Sequence, residues 1–399
     1  MPLSGAGVTA GGGPWAGRRG AMWLGDLGAE VIKIEPPGGG GDARSSGPPF
    51  YNGESAFFLA ANRNKRSLAL DLKRPEGQEI FCRLAATADV VVENFRPGVM
   101  EALGIGYDTV AETNPGVIYC SISGYGKDGP YASRPGLDQI IQGVSGLMSI
   151  TGFEGGEPTR VGIPIADLLT GLFGAYGVLA ALQARERTGR GQRVETSLLE
   201  SMVGTLAFQA TRYLNGGGGP PPARHPPPLN APYGGVPAKD GYVTIGGTGD
   251  KRWPLLCRTI DAPELLEDER FATNGGRHAN RLELADLISE KLQAKTSAEW
   301  EEILNDAGVP CGPILGVDQA LDHPQVRHRE MVVEIEHPTA GLLHLLGLPV
   351  KLSATPGAVR EAPPVLGQHS AAILEEVGIG AEEVERLAAA GVVGVWDEG

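Results

Sequence analysis

Cysteine and aromatic residues are scarce in this sequence. Only 4 of the 399 residues are cysteine, and 6% are aromatic. The cysteines lie far apart and form neither a CxxC metal motif nor a compact disulfide framework; they are Cys82, Cys120, Cys257 and Cys311. We therefore expect a protein of the reducing cytoplasm.

Positive charge is also in short supply. The chain carries 34 Lys and Arg against 48 Asp and Glu, a net charge of −14. A protein that neutralises the phosphates of a nucleic acid has the opposite balance, so we expect no nucleic-acid partner. A small anionic ligand is still compatible, because a few local Lys and Arg residues suffice to hold one.

Long hydrophobic runs are absent as well. The longest apolar stretch, residues 168–182, contains three glycines. It is shorter than the roughly 20 residues that a membrane-spanning helix needs. The beginning of the chain also lacks a basic segment followed by an apolar one, which a secretory signal has. We expect no membrane association.

Glycine and proline are abundant, with 60 and 31 residues. Residues 216–228 read GGGGPPPARHPPP, a composition that sustains neither helix nor sheet and predicts an exposed linker. The string Gly5-x-Gly7-x-x-Ala10 matches a dinucleotide-binding pattern, but the residues before it do not form a strand pattern. A plain glycine-rich terminus is the favoured interpretation of residues 1–13.

Strand and helix patterns alternate before the linker. Strands are predicted at 29–34, 88–93, 117–122 and 192–197, and helices at 77–86 and 168–187. This alternation predicts an α/β protein with a parallel sheet and helices on both faces. Later elements are predicted at 241–245, 332–335 and 342–346 (strands), and at 370–376 and 381–390 (helices). A further helix is predicted after Thr296, which forms a capping box with Glu299.

Two carboxylates stand where an apolar segment leads into a helix. Asp167 follows the apolar residues 161–166, and Asp138 precedes the apolar residues 140–141. A helix N-cap is the favoured structural interpretation of each. The functional alternative for Asp167 is a poorly hydrated nucleophile, held in its ionised form by the helix dipole.

Other candidates lie on loops. Asn94 and Phe95 follow a strand at the edge where α/β sheets bind ligands. Basic residues surround two nearby loops, with a solvated face as the structural alternative; they are Lys65, Arg66, Lys73, Arg74 and Arg96. Residues 246–249 (GGTG) follow a strand but lack the spacing of a phosphate loop, and the seven histidines show no ligand or triad spacing.

Six segments together resemble one enzyme family. They are residues 26–35 (DLGAEVIKIE), 64–73 (NKRSLALDLK), 92–98 (VENFRPG), 146–152 (GLMSITG), 307–313 (AGVPCGP) and 364–369 (PVLGQH). In this order they resemble the class III CoA-transferases of the CaiB/BaiF type, from about residue 13 to the C-terminus.

The resemblance implies a Rossmann-like large domain, a smaller α/β domain and an interlocked homodimer. It places the N-terminal part of the large domain at 1–212, the linker at 213–229 and the small domain at 230–330. Residues 331–399 are then expected to return to the large domain.

The resemblance also implies the chemistry. Asp167 falls on the family's nucleophile, which forms a mixed anhydride with the acyl group and then an aspartyl-CoA thioester. Residues expected to bind CoA are Lys73, Asn94, Phe95, Arg96 and Asp138, with Phe95 beside the adenine. A glycine loop formed by Gly246, Gly247 and Gly249 is expected to close over the intermediates and exclude water. Acyl-CoA and a free carboxylic acid are the expected substrates, without a metal or a permanently bound cofactor.

Two departures from the family pattern keep alternatives open. The racemase branch has Gly-His-Asp where this chain has Gly136-Leu137-Asp138, and leucine cannot take a proton, which disfavours an α-methylacyl-CoA racemase or epimerase. The first 20 residues lack the expected apolar strand and carry Arg18 and Arg19 in a helix that should be apolar. A CoA-binding relative without turnover is the other alternative to a CoA-transferase.

Overall fold

A computed structural model describes residues 1–11, 15–152, 155–216, 231–246 and 249–397. Its strands are β1 (Gly7–Gly11), β2 (Glu30–Glu35), β3 (Phe50–Tyr51), β4 (Glu54–Ser55), β5 (Arg66–Leu70), β6 (Val90–Glu93), β7 (Ile118–Ser123), β8 (Gln192–Ser197), β9 (Gly234–Pro237), β10 (Tyr242–Ile245), β11 (Cys311–Pro313), β12 (Val332–His337), β13 (Gly341–Leu346) and β14 (Val393–Gly394).

The helices up to residue 216 are α1 (Trp15–Asp26), α2 (Ala56–Leu59), α3 (Pro75–Thr87), α4 (Val99–Ala102), α5 (Tyr107–Thr113), α6 (Asp138–Val144), α7 (Leu147–Ile150), α8 (Ile165–Thr188), α9 (Leu198–Gly204) and α10 (Ala207–Leu214). The later helices are α11 (Trp253–Thr259), α12 (Glu264–Glu267), a 3-10 helix (Glu269–Phe271), α13 (Asn274–Ala279), α14 (Arg281–Leu292), α15 (Ser297–Asp306), α16 (Val317–Asp322), α17 (Pro324–His328), α18 (Ser370–Glu376) and α19 (Ala381–Ala389).

The chain forms two compact units. The first comprises residues 1–147, 160–217 and 324–399, and the second comprises residues 148–159 and 218–323. Most of the predicted linker lies in residues 217–230, outside the described part of the chain.

The first unit is built on a seven-stranded sheet with the order β14-β5-β2-β1-β6-β7-β8. All its neighbouring pairs are parallel except β14 with β5. The six parallel strands have the order of a doubly wound nucleotide-binding fold, in which the connections reverse direction between β1 and β6. The predicted α/β class with a mostly parallel sheet is confirmed.

Strand β1 corrects the expectation for the N-terminus. Residues 7–11 form the strand beside the reversal point, and Val8 pairs with Val31 on one side and Val90 on the other. Val8, Thr9 and Ala10 are buried. Because β1 lies between β2 and β6, its backbone N–H and C=O groups find partners along both edges. The strand therefore forms despite its glycines.

Apolar clusters cover both faces of the sheet. One cluster packs α3, α18 and α19 against the strands, and the other packs α1, α8 and α9 against the opposite face. This arrangement leaves the carboxyl edge of the parallel strands as the natural place for a ligand.

Helix α8 is longer than the apolar run in the sequence suggests. Its 24 residues are long and apolar enough to cross a membrane by length and composition alone, a test that core helices of globular proteins also pass. Here it packs on α1 and on the strands β7 and β8.

The second unit has its own antiparallel sheet, β11-β10-β9, and its own apolar core around Trp253, Phe271 and Trp300. The predicted capping box of Thr296 and Glu299 begins α15, as expected from the sequence.

Candidate active site

Asp167 lies in the first turn of α8. It is not the N-cap that the sequence favoured, because the helix begins at Ile165 and its N-cap position is Pro164. Burial, together with the charge of Asp138, raises the pKa of Asp167 to about 7. A backbone hydrogen bond from Ala16 and the charge of Arg18 act in the opposite direction. The carboxylate is thus poorly hydrated and sits where a small change in surroundings alters its ionisation.

The N-terminal end of α1 supplies the donors around this carboxylate. The Ala16 backbone N–H donates to the Asp167 carboxylate. The next N–H along, that of Gly17, donates to Asn94 Oδ1 at 3.3 Å. These are free N–H groups of a helix start, whose dipole favours negative charge. Asp167 and Asn94 therefore meet the same positive helix end.

The Asn94 amide is engaged by the protein itself. Its Oδ1 accepts from Gly17, and its Nδ2 donates to the Ile122 carbonyl oxygen at 2.8 Å. The side chain is only 6% exposed. In this structure Asn94 fastens the start of α1 to the carboxyl ends of β6 and β7.

Asp138 accepts hydrogen bonds from the first turn of the helix that carries Asp167. Its Oδ1 accepts from the backbone N–H of Ala166 at 2.8 Å and of Asp167 at 3.2 Å. Its Oδ2 accepts from Gln142 Nε2 at 2.7 Å. Asp138 therefore caps α8, a neighbouring helix, instead of the N-terminus of its own helix α6.

Phe95 and Arg96 line a cavity of about 540 Å³ at the carboxyl ends of β6, β7 and β8. Lys127 and Arg193 also line it, but both pair with Glu195 of the same wall, at 3.4 and 3.5 Å. The cavity offers the aromatic face of Phe95 and the guanidinium of Arg96, which suit an adenosine phosphate.

Glu93 belongs to the same cavity and was not singled out from the sequence. Burial raises its pKa to about 7, although the Phe95 backbone N–H and the Ser121 side chain donate to it. The only signal in the sequence was its place at the end of a predicted strand, directly before Asn94.

Lys73 lies apart from these residues. It is exposed beyond the end of β5, where its backbone N–H donates to Asp71 Oδ1 at 3.0 Å. Three strand spacings separate β5 from β6, roughly 14 Å along the same edge of the sheet.

Lys65 and Arg66, two further basic residues near these loops, contact other parts of the protein. Lys65 is 1% exposed, and its ammonium donates to the carbonyl oxygens of Arg18 and Ala61 and to Asn62 Oδ1. The structural alternative of a solvated face is wrong for Lys65, because three acceptors inside the protein take the hydrogen bonds of its ammonium. Arg66 pairs with Glu376 instead.

The predicted glycine loop is only partly described. Gly246 and Gly249 belong to the second unit, and Gly247 lies outside the described residues. Among the described residues, no group of three or more His, Cys, Asp and Glu has the geometry to hold a metal ion.

Arg18 also lies at this site. The sequence indicated it only as a charged residue in a helix that was expected to be apolar. It is 5% exposed, and neither its Nε nor its Nη2 has a hydrogen-bond partner in the described residues. Its charge acts on Asp167, Glu35 and Asp42. Its positive charge lowers the pKa of Asp167 and so favours the ionised carboxylate.

Comparison with known proteins gives one consistent result. The model of CoA-transferase family III matches residues 3–370. The chain is 41% identical over 362 residues to a succinyl-CoA:glutarate CoA-transferase of Homo sapiens, covering 91% of this chain and 83% of that protein. It is 37% identical over 382 residues to a succinate–glutarate CoA-transferase of Agrobacterium fabrum, covering 94% of both chains.

A solved structure of a CaiB/BaiF family protein from Brucella suis is similar throughout. It superposes with a TM-score of 0.86 at 38% identity, covering 94% of this chain and 99% of that one. The chain belongs to CoA-transferase family III and is a CoA-transferase enzyme.

Proposed function

We propose that this enzyme transfers CoA from an acyl-CoA to a free carboxylic acid with Asp167 as the nucleophile. The observation that carries the proposal is the setting of Asp167, a half-buried carboxylate in the first turn of α8 that faces the N–H groups starting α1. A poorly hydrated carboxylate is a good nucleophile, and a positive helix end favours the charge that develops beside it.

The reaction proceeds by four acyl transfers that need no other reactant. An oxygen of Asp167 attacks the thioester carbonyl carbon, the C–S bond breaks, and a mixed anhydride and CoA thiolate form. The thiolate attacks the Asp167 carbonyl carbon, which releases the donor acid and leaves an aspartyl-CoA thioester. The acceptor carboxylate attacks this thioester, giving a second anhydride and thiolate. The thiolate then takes the acceptor acyl group, and the Asp167 carboxylate is restored.

The nucleotide end of CoA is assigned to the cavity of Phe95 and Arg96. The ring of Phe95 suits the adenine, and the guanidinium of Arg96 suits a phosphate. Lys73 is the candidate for a phosphate further along the sheet edge. CoA enters as part of the substrate and leaves with the product.

The acids are proposed to be dicarboxylic, because the two transferases compared above carry succinyl-CoA, succinate or glutarate in their names. The glycine loop at 246–249 is proposed to shield the anhydride from water. A cytoplasmic location is supported by the cysteines, each of which is a free thiol.

A homodimer is proposed from an unusual apolar surface on the first unit. Helices α6, α8 and α9 pack together. They expose large apolar side chains, which are Ile140, Val144, Leu172, Phe173, Tyr176 and Val203. Tyr176 is 68% exposed. A patch of this kind is typical of a protein interface, and a second copy is the partner that the family resemblance favours. Sedimentation velocity should give the mass of two chains, and a monomer at micromolar concentration would refute the dimer.

The catalytic proposal is tested by transfer of CoA from succinyl-CoA to labelled glutarate. Asp167→Asn keeps the size of the side chain but removes the nucleophilic oxygen, so the rate should fall at least about 1,000-fold. The same variant should melt at a higher temperature than the wild type at pH 8. Burial raises the pKa of Asp167 above its unfolded value, so stability is lost as the pH rises from the ordinary aspartate pKa to about 7. The full cost is present at pH 8, and asparagine avoids it. A stable variant that retains full activity would exclude Asp167 as the nucleophile.

A further inference from the structure

A second cavity, of about 560 Å³, opens beside the start of α8. Pro164 and Leu168, the residues that flank the first turn carrying Asp167, are part of its wall. Most of the remaining wall is apolar and comes from Trp15, Leu59 and the hairpin strand β13. This cavity is separate from the one that contains Phe95 and Arg96.

Two arginines interrupt the apolar wall, and one of them is fully compensated. Arg63 forms a bidentate ion pair with Asp26, at 2.9 Å from Nε to Oδ1 and 2.7 Å from Nη2 to Oδ2. It also donates to the Leu346 carbonyl oxygen. Arg63 therefore has no charge to offer a ligand.

Arg19 is not compensated. Its Nη1 donates to the Ala60 carbonyl oxygen, but no carboxylate lies within ion-pair distance among the described residues. Its Nε is buried without a hydrogen-bond partner. The indoles of Trp15 and Trp23 lie 5.5 and 5.3 Å from the guanidinium carbon. A half-buried cation with an unused donor is costly unless a ligand supplies the missing anion.

Arg19 is also close to the reacting carboxylate along the helix axes. It follows Ala16, which donates to Asp167, by three residues, or about 4.5 Å of rise along α1. A β-carbon placed on Gly171, one turn after Asp167, would lie 3.4 Å from Arg19 Cβ. A ligand in the cavity thus contacts Arg19 and lies beside Pro164 and Leu168, which flank Asp167 in the first turn of α8.

From this geometry we infer that Arg19 binds the second carboxylate of a dicarboxylic acyl group or acceptor while the first carboxyl carbon reacts at Asp167. The inference rests on the proposed function and assigns to Arg19 the selectivity for dicarboxylic over monocarboxylic substrates. The methylene chain packs against the apolar wall, and the distal carboxylate pairs with the unused guanidinium donors.

A phosphate of CoA is the other anion available to such a cation. The cavity wall argues against it, because the other described cation of the wall is already paired and the remaining side chains are mostly apolar. A carboxylate at the end of a short methylene chain matches this lining better than a phosphate does.

The test compares donors that differ only in the distal carboxylate, succinyl-CoA and butyryl-CoA. Arg19→Gln should lower kcat/KM about 10- to 100-fold with succinyl-CoA and leave butyryl-CoA within about 2-fold. Arg19→Lys should recover part of the loss, and Arg83→Gln, which removes an exposed arginine on α3, should change neither donor. An equal loss with both donors would assign Arg19 to CoA binding or to folding, and no loss with either would also overturn the proposal.

Calorimetric binding of glutarate and pentanoate tests the same contact without turnover. The wild type should bind glutarate more tightly, and Arg19→Gln should bind the two acids equally. A variant that keeps the preference for glutarate would overturn the role of Arg19, whether or not transfer occurs. Absence of Asp167-dependent transfer with every donor, combined with an intact glutarate preference that depends on Arg19, would instead refute only the proposed function.

Discussion

At the scale of single residues, the site combines two carboxylates with different tasks. Both oxygens of Asp138 are occupied by donors, whereas Asp167 receives the Ala16 N–H and is otherwise poorly hydrated. The charge of Asp138 is one cause of the raised pKa of Asp167. Asp138 is accordingly a positioning residue, because it fixes the first turn of α8 and tunes the carboxylate that α8 carries.

Asp138→Asn should shift the acidic limb of the rate profile to lower pH. The variant keeps an oxygen that accepts from Ala166 and Asp167 but removes the negative charge, so the pKa of Asp167 falls from about 7. Because attack requires ionised Asp167, the midpoint of the acidic limb in kcat/KM should move down by about 1 to 2 pH units. The exposed substitution Asp108→Asn is the matched control and should leave the profile in place. An unchanged midpoint in Asp138→Asn would contradict the electrostatic role.

The sequence identified Asp167 as a candidate but did not predict the contacts of Asp138 or a role for Arg19. The position of Asp167 before an apolar helix was readable, but its place in the third helical position depends on where the helix begins, a boundary that local patterns define poorly. The contact of Asp138 with α8 joins residues 28 and 29 positions apart, and no local pattern encodes it. Arg19 stood out only as a charge in a helix that should be apolar.

At the scale of elements, the site depends on the close packing of α1 on α8. Gly20 faces Gly171 across this contact, and a β-carbon on Gly171 would lie only 2.6 Å from the Ala16 carbonyl oxygen. The obstacle is backbone and cannot rotate away. Small residues at this crossing therefore bring the N-terminal end of α1 to Asp167.

Gly171→Ala should destabilise the protein and reduce activity together. The added methyl group forces the two helices apart, at a cost of about 1–3 kcal/mol in the free energy of unfolding. It also moves the Ala16 N–H from Asp167, so kcat should fall more than about 10-fold. Urea unfolding and steady-state kinetics measure the two effects.

Gly275→Ala is the control for this substitution. It places the same methyl group in helix α13, where the nearest atom is 4.0 Å away. Its stability should stay within about 1 kcal/mol of the wild type. If Gly171→Ala behaved like this control, the packing of α1 on α8 would not position the site.

Regular elements were predicted better than irregular ones. The strand at 192–197 and the helix at 370–376 have the bounds expected from the sequence, because their periodicity and flanking residues agree. Strand β1 was missed because its five residues include two glycines, and only pairing with β2 and β6 makes it a strand. The two-residue strand β14 is defined in the same way by its partner β5.

At the scale of the whole first unit, the order of the strands in the sheet explains where the site lies. The connections reverse between β1 and β6, and the start of α1, Asn94 and Phe95 all lie at that point. Parallel strands thus gather residues from three distant segments around Asp167. The alternation of strands and helices predicted this architecture, but the order of the strands is known only from the structure.

Covalent catalysis by Asp167 is the central claim, and trapping the acylated enzyme tests it most directly. The protein is mixed with succinyl-CoA, quenched with hydroxylamine and digested. The mass of the peptide that contains Asp167 is then measured by mass spectrometry. A thioester or anhydride on Asp167 reacts with hydroxylamine, so the account predicts a hydroxamate on this residue in the wild type and none in Asp167→Asn. An active enzyme whose Asp167 peptide stays unmodified, or a hydroxamate on a different carboxylate, would contradict it.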